Sequence, residues 1–333
     1  MIMPKANDAA PQGKNARRRD HAVPLFDGRQ SRTHIRRSIM LLRATALGLS
    51  LRHRRTLADA RTFVQFAGWP RSGHSLIGAL IDAHPDAAIA HELDAMGLFH
   101  KGMMPRRIAA LCLGNAAAFT VEGRYWNGYS YAVPGAPHGP DSTLTVIGDK
   151  KGDWATRWSA LNPDLVGRFA SKSPFRSRWI LVTRHPADNI ATMSLRMGRH
   201  YDKLRIAHSG PIGTAIADAQ AKGDIANAAS DAMIADYRAL ATTIAAMKKR
   251  VPAAQWHEIN YEDFVDDPRT GLADLATFLD LDIRDDWLEG AAAIVGKKPS
   301  RSRDRVSWRE DQRETVARTI RSYDFLTTYR DDH

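Results

Sequence analysis

Hydrophobic and polar residues alternate along this chain with two periods. Thr62-Phe63-Val64-Gln65-Phe66-Ala67 is a short apolar run of strand length, whereas Ser75 to Ala83 places its apolar residues at helical spacing and closes on His84-Pro85. Short strand-like runs recur at Ala87–Ala90, Thr143–Ile147, Trp179–Thr183 and Trp256–Asn260, with a helical pattern at Leu272–Leu279. Strands alternating with helices predict an α/β fold with a parallel sheet flanked by helices. No period repeats along the chain.

Length and composition suit this reading. The 333 residues, 44% of them hydrophobic, can bury a full core. The charge is uneven: residues 1–60 hold 13 Lys or Arg against four Asp, most of the chain's formal excess of +11. We therefore expect residues 1–60 to form a basic, partly disordered N-terminal extension and 61–333 to form the functional domain. Arg36 to Arg55 suits a basic amphipathic helix, and two readings of this arm stand. It is a solvated tail, the favoured reading, or it makes a peripheral membrane contact with an anionic surface. Nucleic acid is not expected, because Phe26 is the arm's single aromatic residue for base stacking. The apolar stretch Ser38–Leu51 is broken by Arg43 and too short to span a bilayer, and no signal peptide is read. The single cysteine, Cys112, excludes an internal disulfide and a four-cysteine metal site; it reads as a core residue and suits a reducing, cytoplasmic compartment.

Between the first strand and the first helix the chain reads Gly68-Trp-Pro-Arg71-Ser72-Gly73-His74-Ser75. This is the phosphate-loop frame G-x-x-x-x-G-K-[ST] with His74 in the lysine position, and its backbone N–H groups suit a phosphate at a helix N-terminus. Without that lysine, and with Arg71 three places earlier, the loop points away from nucleoside triphosphates and their magnesium. A second site lies at Trp179 to Arg196, where a strand delivers Arg184 to its end, Pro186 starts a helix and Thr192 follows. A third stretch, Tyr261-Glu-Asp-Phe-Val-Asp-Asp-Pro268, follows the strand Trp256–Asn260.

These three motifs, in this order, resemble the sulfotransferases that use 3′-phosphoadenosine 5′-phosphosulfate. Arg71-Ser72-Gly73-His74-Ser75-Leu76 is similar to that family's 5′-phosphosulfate loop, Arg184 through Thr192 to its 3′-phosphate motif, and Tyr261–Pro268 with Phe278-Leu279 to its Y-E-D-x-x-x-D-P…F-L segment. The resemblance covers roughly residues 62–330 and implies 3′-phosphoadenosine 5′-phosphosulfate as co-substrate, with no metal. It further implies a lysine at a strand end near the transferring group, either Lys150 or Lys151 in the polar turn Gly148–Asp153 that follows the strand Thr143–Ile147, with a charged solvent-facing turn the alternative, and a general base after the second strand. Glu92 is favoured as that base, with His91 the alternative and a helix-capping or salt-bridged Glu92 the structural one. If the strand runs on through both, they point to opposite faces. Arg301 and Arg303 stand where the family's later basic segment contacts the 3′-phosphate, with a solvated loop the equal alternative.

The acceptor is expected to be a small molecule, glycan or lipid carrying a hydroxyl or amine. The aromatic, glycine-rich segment Gly123–Gly135 is a candidate wall for it, or equally an ordinary ordered loop packed on the domain. The rival enzyme class is a P-loop kinase or other NTPase. The non-catalytic rival is a nucleotide-binding or membrane-recruited module, which His74 would support.

Overall fold

The computed structural model describes residues 32–126, 129–136, 143–197, 228–296 and 298–330. The basic tail expected over the first thirty-odd residues lies outside them, as do Asn127, Gly128 and Lys297.

The order of elements begins α1 (Arg32–Arg52), β1 (Thr62–Ala67), α2 (His74–Asp82), β2 (Ala87–Ala90), α3 (Ala95–His100), α4 (Pro105–Val121) and the short β3 (Tyr125–Trp126) and β4 (Tyr129–Ser130). It continues with β5 (Val146–Asp149), α5 (Gly152–Leu161), α6 (Leu165–Lys172), β6 (Arg176–Thr183), α7 (Pro186–Met197) and α8 (Asp231–Arg250). After these come β7 (Trp256–Asn260), α9 (Tyr261–Asp266), α10 (Pro268–Leu279), α11 (Asp285–Ala293) and α12 (Glu310–Ser322).

Five strands pair in the order β2-β5-β1-β6-β7, every neighbour parallel. β3 and β4 pair separately as an antiparallel hairpin. In β1 all six residues are buried, because helices cover both faces. Phe63 and Ala67 enter one core cluster with Met96, Leu98, Cys112 and Phe169, while Val64 and Phe66 enter another with Ile77, Leu80 and Leu272. β6 divides similarly: Ile180 and Val182 share the second cluster, and Leu181 joins a third with Trp69, Tyr237 and Leu240. Cys112 is fully buried, and burial pushes its thiol up, so it is a core residue as expected.

The chain leaves β1 for β2 and β5 on one side and returns to β6 and β7 on the other. A crevice therefore opens beyond the C-terminal ends of the central strands, where open α/β sheets place their ligands. The ends of β1, β2, β5 and β6 deliver the phosphate-like loop, His91-Glu92, Lys150-Lys151 and Arg184 to this one edge.

Two local expectations are revised. The strand expected at Thr143–Ile147 is β5, and it runs on through Gly148 and Asp149, both buried. Asp149 ends a strand because its carboxylate finds N–H partners inside the protein. The basic helix is longer at its start than Arg36 and is not wholly solvated: Ala46 is fully buried, and Leu42 and Leu49 pack on the core. Among the described residues, no helix is long and apolar enough to cross a membrane.

Candidate functional site

The loop between β1 and α2 is held from behind by its side chains and carbonyls. Trp69 stacks on Tyr237 with ring centroids 4.6 Å apart and donates from its indole N–H to the Tyr237 carbonyl at 2.9 Å. Asn189 donates to Pro70 O at 2.8 Å, and Ser72 Oγ donates to Trp69 O at 3.1 Å. Gly73 turns the chain into α2 at φ 115°, and a Cβ there would lie 2.6 Å from the Tyr261 ring, so only glycine fits. Among the described residues none accepts from the backbone N–H of Gly73, His74 or Ser75, which leaves the start of α2 equipped for an anion. Arg71 stands beside them at φ 72°, its buried Nε without a partner among the described residues.

His74 does not reach outward from this loop. Its buried Nε2 lies 3.2 Å from the Ala67 carbonyl, which can only accept, so Nε2 carries the proton. Burial first, and Lys150 second, push its pKa down to about 3, and the neutral ring braces the loop edge-on to Phe66.

On one side of the loop, Lys150 and Lys151 close around Glu92. Lys150 Nζ donates to Ser75 Oγ at 2.7 Å and forms an ion pair with Glu92; Lys151 Nζ lies 3.1 Å from the other Glu92 oxygen. Burial alone would raise the Glu92 carboxyl, but the two ammonium charges and the Lys150 hydrogen bond outweigh it and hold it well below the usual carboxylate range. Both candidate lysines thus reach the same group. Burial chiefly pushes the nearby Tyr131 hydroxyl up to about 12, against the opposing effects of Arg71 and Ser75.

Glu92 and His91 do diverge, but not by strand alternation. β2 ends at Ala90, and a left-handed turn at Glu92, φ 66°, separates the two side chains. His91 stacks on Phe119 with centroids 4.0 Å apart and meets the edge of Trp126, and its pKa is pushed down to about 2, by burial first and then by Lys150. A neutral imidazole in an aromatic wall has little basicity to offer. The segment Gly123–Gly135 is that wall in part, folded as the hairpin β3-β4 and tied to the domain by Arg124. Arg124 donates to Asp82 at 2.5 Å and to Tyr131 O at 3.2 Å, with both charged side chains almost fully buried.

Sequence inspection missed what sets the left-handed turn. Asp149, buried at the end of β5, accepts from the backbone N–H of Ala95 at 2.8 Å, Leu93 at 3.3 Å and Lys151 at 3.4 Å, clamping the turn that carries Glu92. Burial chiefly raises its pKa to about 6. Asp94, which caps α3 and accepts from Trp158 Nε1 at 3.1 Å, is raised to about 7 by burial and then by Asp149.

Protons held more tightly in the folded than in the unfolded chain stabilise it fully below pH of about 4, and that contribution declines as pH climbs towards 7. We therefore expect the melting temperature of wild type minus that of Asp94→Asn to fall between about pH 4 and 7. Melting curves across that range test this, and a difference that rises with pH would contradict the assignment.

On the other side of the loop, Arg184 anchors the second cluster. Its Nη1 lies 3.3 Å from both Arg71 O and Thr192 Oγ1; its Nη2 donates to Ser300 O at 2.7 Å and to Ser302 Oγ at 3.3 Å. Thr192 Oγ1 lies 3.0 Å from Ser302 Oγ. The Arg184 guanidinium sits over the Tyr261 ring at 5.8 Å, and its buried Nε has no partner among the described residues. Ser302 was not singled out from sequence, although it lies between the two arginines that were. Arg301 is largely exposed and pairs with Asp304, while Arg303 contacts Asp188 and His185, two places where α7 begins. Arg71 and Arg184 thus share one edge, and two cationic, hydroxyl-lined clusters adjoin through the Arg184–Arg71 contact. Among the described residues, no group of three or more His, Cys, Asp or Glu side chains could hold a metal ion.

A family model described as sulfotransferase family matches residues 176–286, which hold Arg184, Thr192 and Tyr261. Among solved structures, the sulfotransferase domain of the Synechococcus PCC 7002 olefin synthase is 15% identical, covering 80% of this chain and 96% of its own, with a TM-score of 0.40. Sulfotransferase STF9 from Mycobacterium avium is 14% identical over 90% of this chain and 87% of its own, TM-score 0.39. Mouse sulfotransferase SULT7A1, solved in complex with PAP, is 15% identical over 83% and 89%, TM-score 0.37. No curated protein matches the chain.

Proposed function

We propose that this chain, whose residues 176–286 match the sulfotransferase family model, takes its sulfuryl group from 3′-phosphoadenosine 5′-phosphosulfate. One observation carries the choice of donor: the loop of unpartnered N–H groups with Arg71 and the Arg184–Thr192–Ser302 cluster adjoin at one sheet edge, 3.3 Å apart at Arg184 Nη1 and Arg71 O. A nucleotide carrying a 5′-phosphosulfate and a separate 3′-phosphate needs two such anion sites a sugar apart. The buried Nε atoms of Arg71 and Arg184, unpartnered among the described residues, fit that need.

In this reading the amides of residues 72–75 and Arg71 hold the 5′-phosphosulfate, and Arg184, Thr192 and Ser302 read the 3′-phosphate. Lys150 and Lys151 stabilise the charge that grows on the bridging oxygen as its bond to sulfur breaks. The acceptor oxygen or nitrogen bonds the same sulfur in line, and its proton passes to Glu92. In the free protein both lysines hold Glu92 tightly. An incoming anion competes for them and thereby returns basicity to the carboxylate, so donor binding readies the base. The wall of His91, Phe119, Trp126 and Tyr131 suits a ring-bearing small-molecule acceptor, with a carbohydrate or lipid-linked hydroxyl favoured. Residues 61–333 form the transferring unit, and the single buried cysteine suits a reducing cytoplasm.

Calorimetric titration tests this directly. The product nucleotide 3′-phosphoadenosine 5′-phosphate should bind at least roughly tenfold tighter than ATP, about 1.4 kcal/mol, with no change on adding a chelator. Tighter binding of ATP with magnesium would instead favour the kinase-like reading, against which His74 speaks by turning its neutral ring beneath the loop.

A further inference from the structure

Helix α1 has two apolar faces, and only one serves the fold. Leu42, Ala46 and Leu49 point to the core, and Arg43 ties the helix down by donating to Lys101 O at 3.1 Å. On the opposite side Met40, Leu41, Leu47 and Leu51 stand in solvent, 70%, 70%, 47% and 69% exposed, with Ala44 and Gly48 between them at the same helical spacing. Four large exposed apolar side chains on one stripe contribute nothing to this protein's own core.

The surroundings of the stripe say what covers it. No acidic residue occurs from Arg32 to Ala58, while Arg43, Arg52, Arg54 and Arg55 are exposed along and beyond the helix. Leu51, Arg52, Arg54 and Arg55 line an open depression of about 370 Å³ at the end of α1, one leucine among three arginines. An apolar stripe on a helix lying flat against its domain, flanked by arginines, is complementary to a surface with hydrocarbon beneath and anionic phosphates above.

We propose that the outer face of α1 docks the protein on an anionic lipid surface, with the leucines in the interface and the arginines among the headgroup phosphates. The surface serves as a peripheral attachment and is independent of the sulfuryl-transfer reading.

Cosedimentation of the full chain with vesicles of phosphatidylcholine, alone or with about one-third phosphatidylglycerol, tests it. The expected result is binding to the anionic vesicles only, weakened as ionic strength rises to about 1 M. Leu47→Asp with Leu51→Asp, and separately Arg54→Glu with Arg55→Glu, should each lower partitioning at least about tenfold at unchanged melting temperature. Hydrogen exchange of the unmodified chain needs no variant, and should slow across residues 40–55 when anionic vesicles are added.

Several results would overturn the proposal. Equal binding to both vesicle types would remove the charge argument. Full binding by the Leu47→Asp, Leu51→Asp protein would assign attachment to the residues before α1. Absence of vesicle binding, with a dimer that these same substitutions dissociate, would make the occupant a second copy of the chain.

Discussion

Glu92→Gln is expected to lower turnover by roughly 10²–10⁴-fold, the usual worth of a positioned base, without weakening the donor nucleotide. The amide cannot take the acceptor proton. It also cannot hold two ammonium groups, so Lys150 and Lys151, almost fully buried, lose their counter-charge in the free protein. Two consequences accompany the lost turnover: the variant melts below wild type, and 3′-phosphoadenosine 5′-phosphate restores more of that loss than it adds to wild type. Single-turnover kinetics and ligand-dependent melting curves separate these effects. His91→Ala should cost far less, because its neutral ring packs on Phe119. Because the lysines hold the carboxyl below its ordinary range, Glu92 in the free protein stays ionised as pH falls through 4 to 5, and it imposes no acidic limb there. Full turnover in Glu92→Gln beside an inactive His91→Ala would reverse the assignment.

Arg184→Ala is expected to abolish discrimination by the 3′-phosphate. Removing a charged, hydrogen-bonded partner costs about 1.5–3 kcal/mol, so 3′-phosphoadenosine 5′-phosphate should lose roughly 10–100-fold in affinity while adenosine 5′-phosphate loses little. The guanidinium also bonds Arg71 O and Ser300 O, so the loop itself depends on it. Comparing the two nucleotides distinguishes these roles: a fall shared equally by both ligands would make Arg184 a support for the loop and not a reader of the phosphate.

What was legible beforehand depended on the distance over which each feature is encoded. The loop, the strand before it and the helix after it are local, and so were read from residues 62 to 83. Arg184 and Thr192 are eight apart on one strand end and helix, so their meeting was also readable. Ser302 lies 110 residues beyond Thr192, and only the folded chain brings it there. The same holds for Asp149, whose polar side chain argued for a turn when its actual partners are N–H groups 54 and 56 residues away. The sequence around His74 does not encode whether its ring is neutral or charged, because that choice is made by burial. For Glu92 and His91 their divergence was anticipated but its cause was not, since the left-handed turn between them is imposed by the clamp from β5.

The strand order has a consequence for the history of each molecule as it folds. β1 is central, yet it pairs with no neighbour in sequence: Gln65 meets Asp149 across 84 residues, and Arg184 reaches Arg71 across 113. Contacts so distant form only after long loops have closed, which makes such parallel sheets slow to assemble. The phosphate-like loop is made early by the ribosome but acquires its backing from α7, α8 and β6 late. A nucleotide that needs both clusters has nothing to grip until the sheet is nearly whole. Its stabilisation should therefore appear as slower unfolding and leave the rate of folding almost untouched.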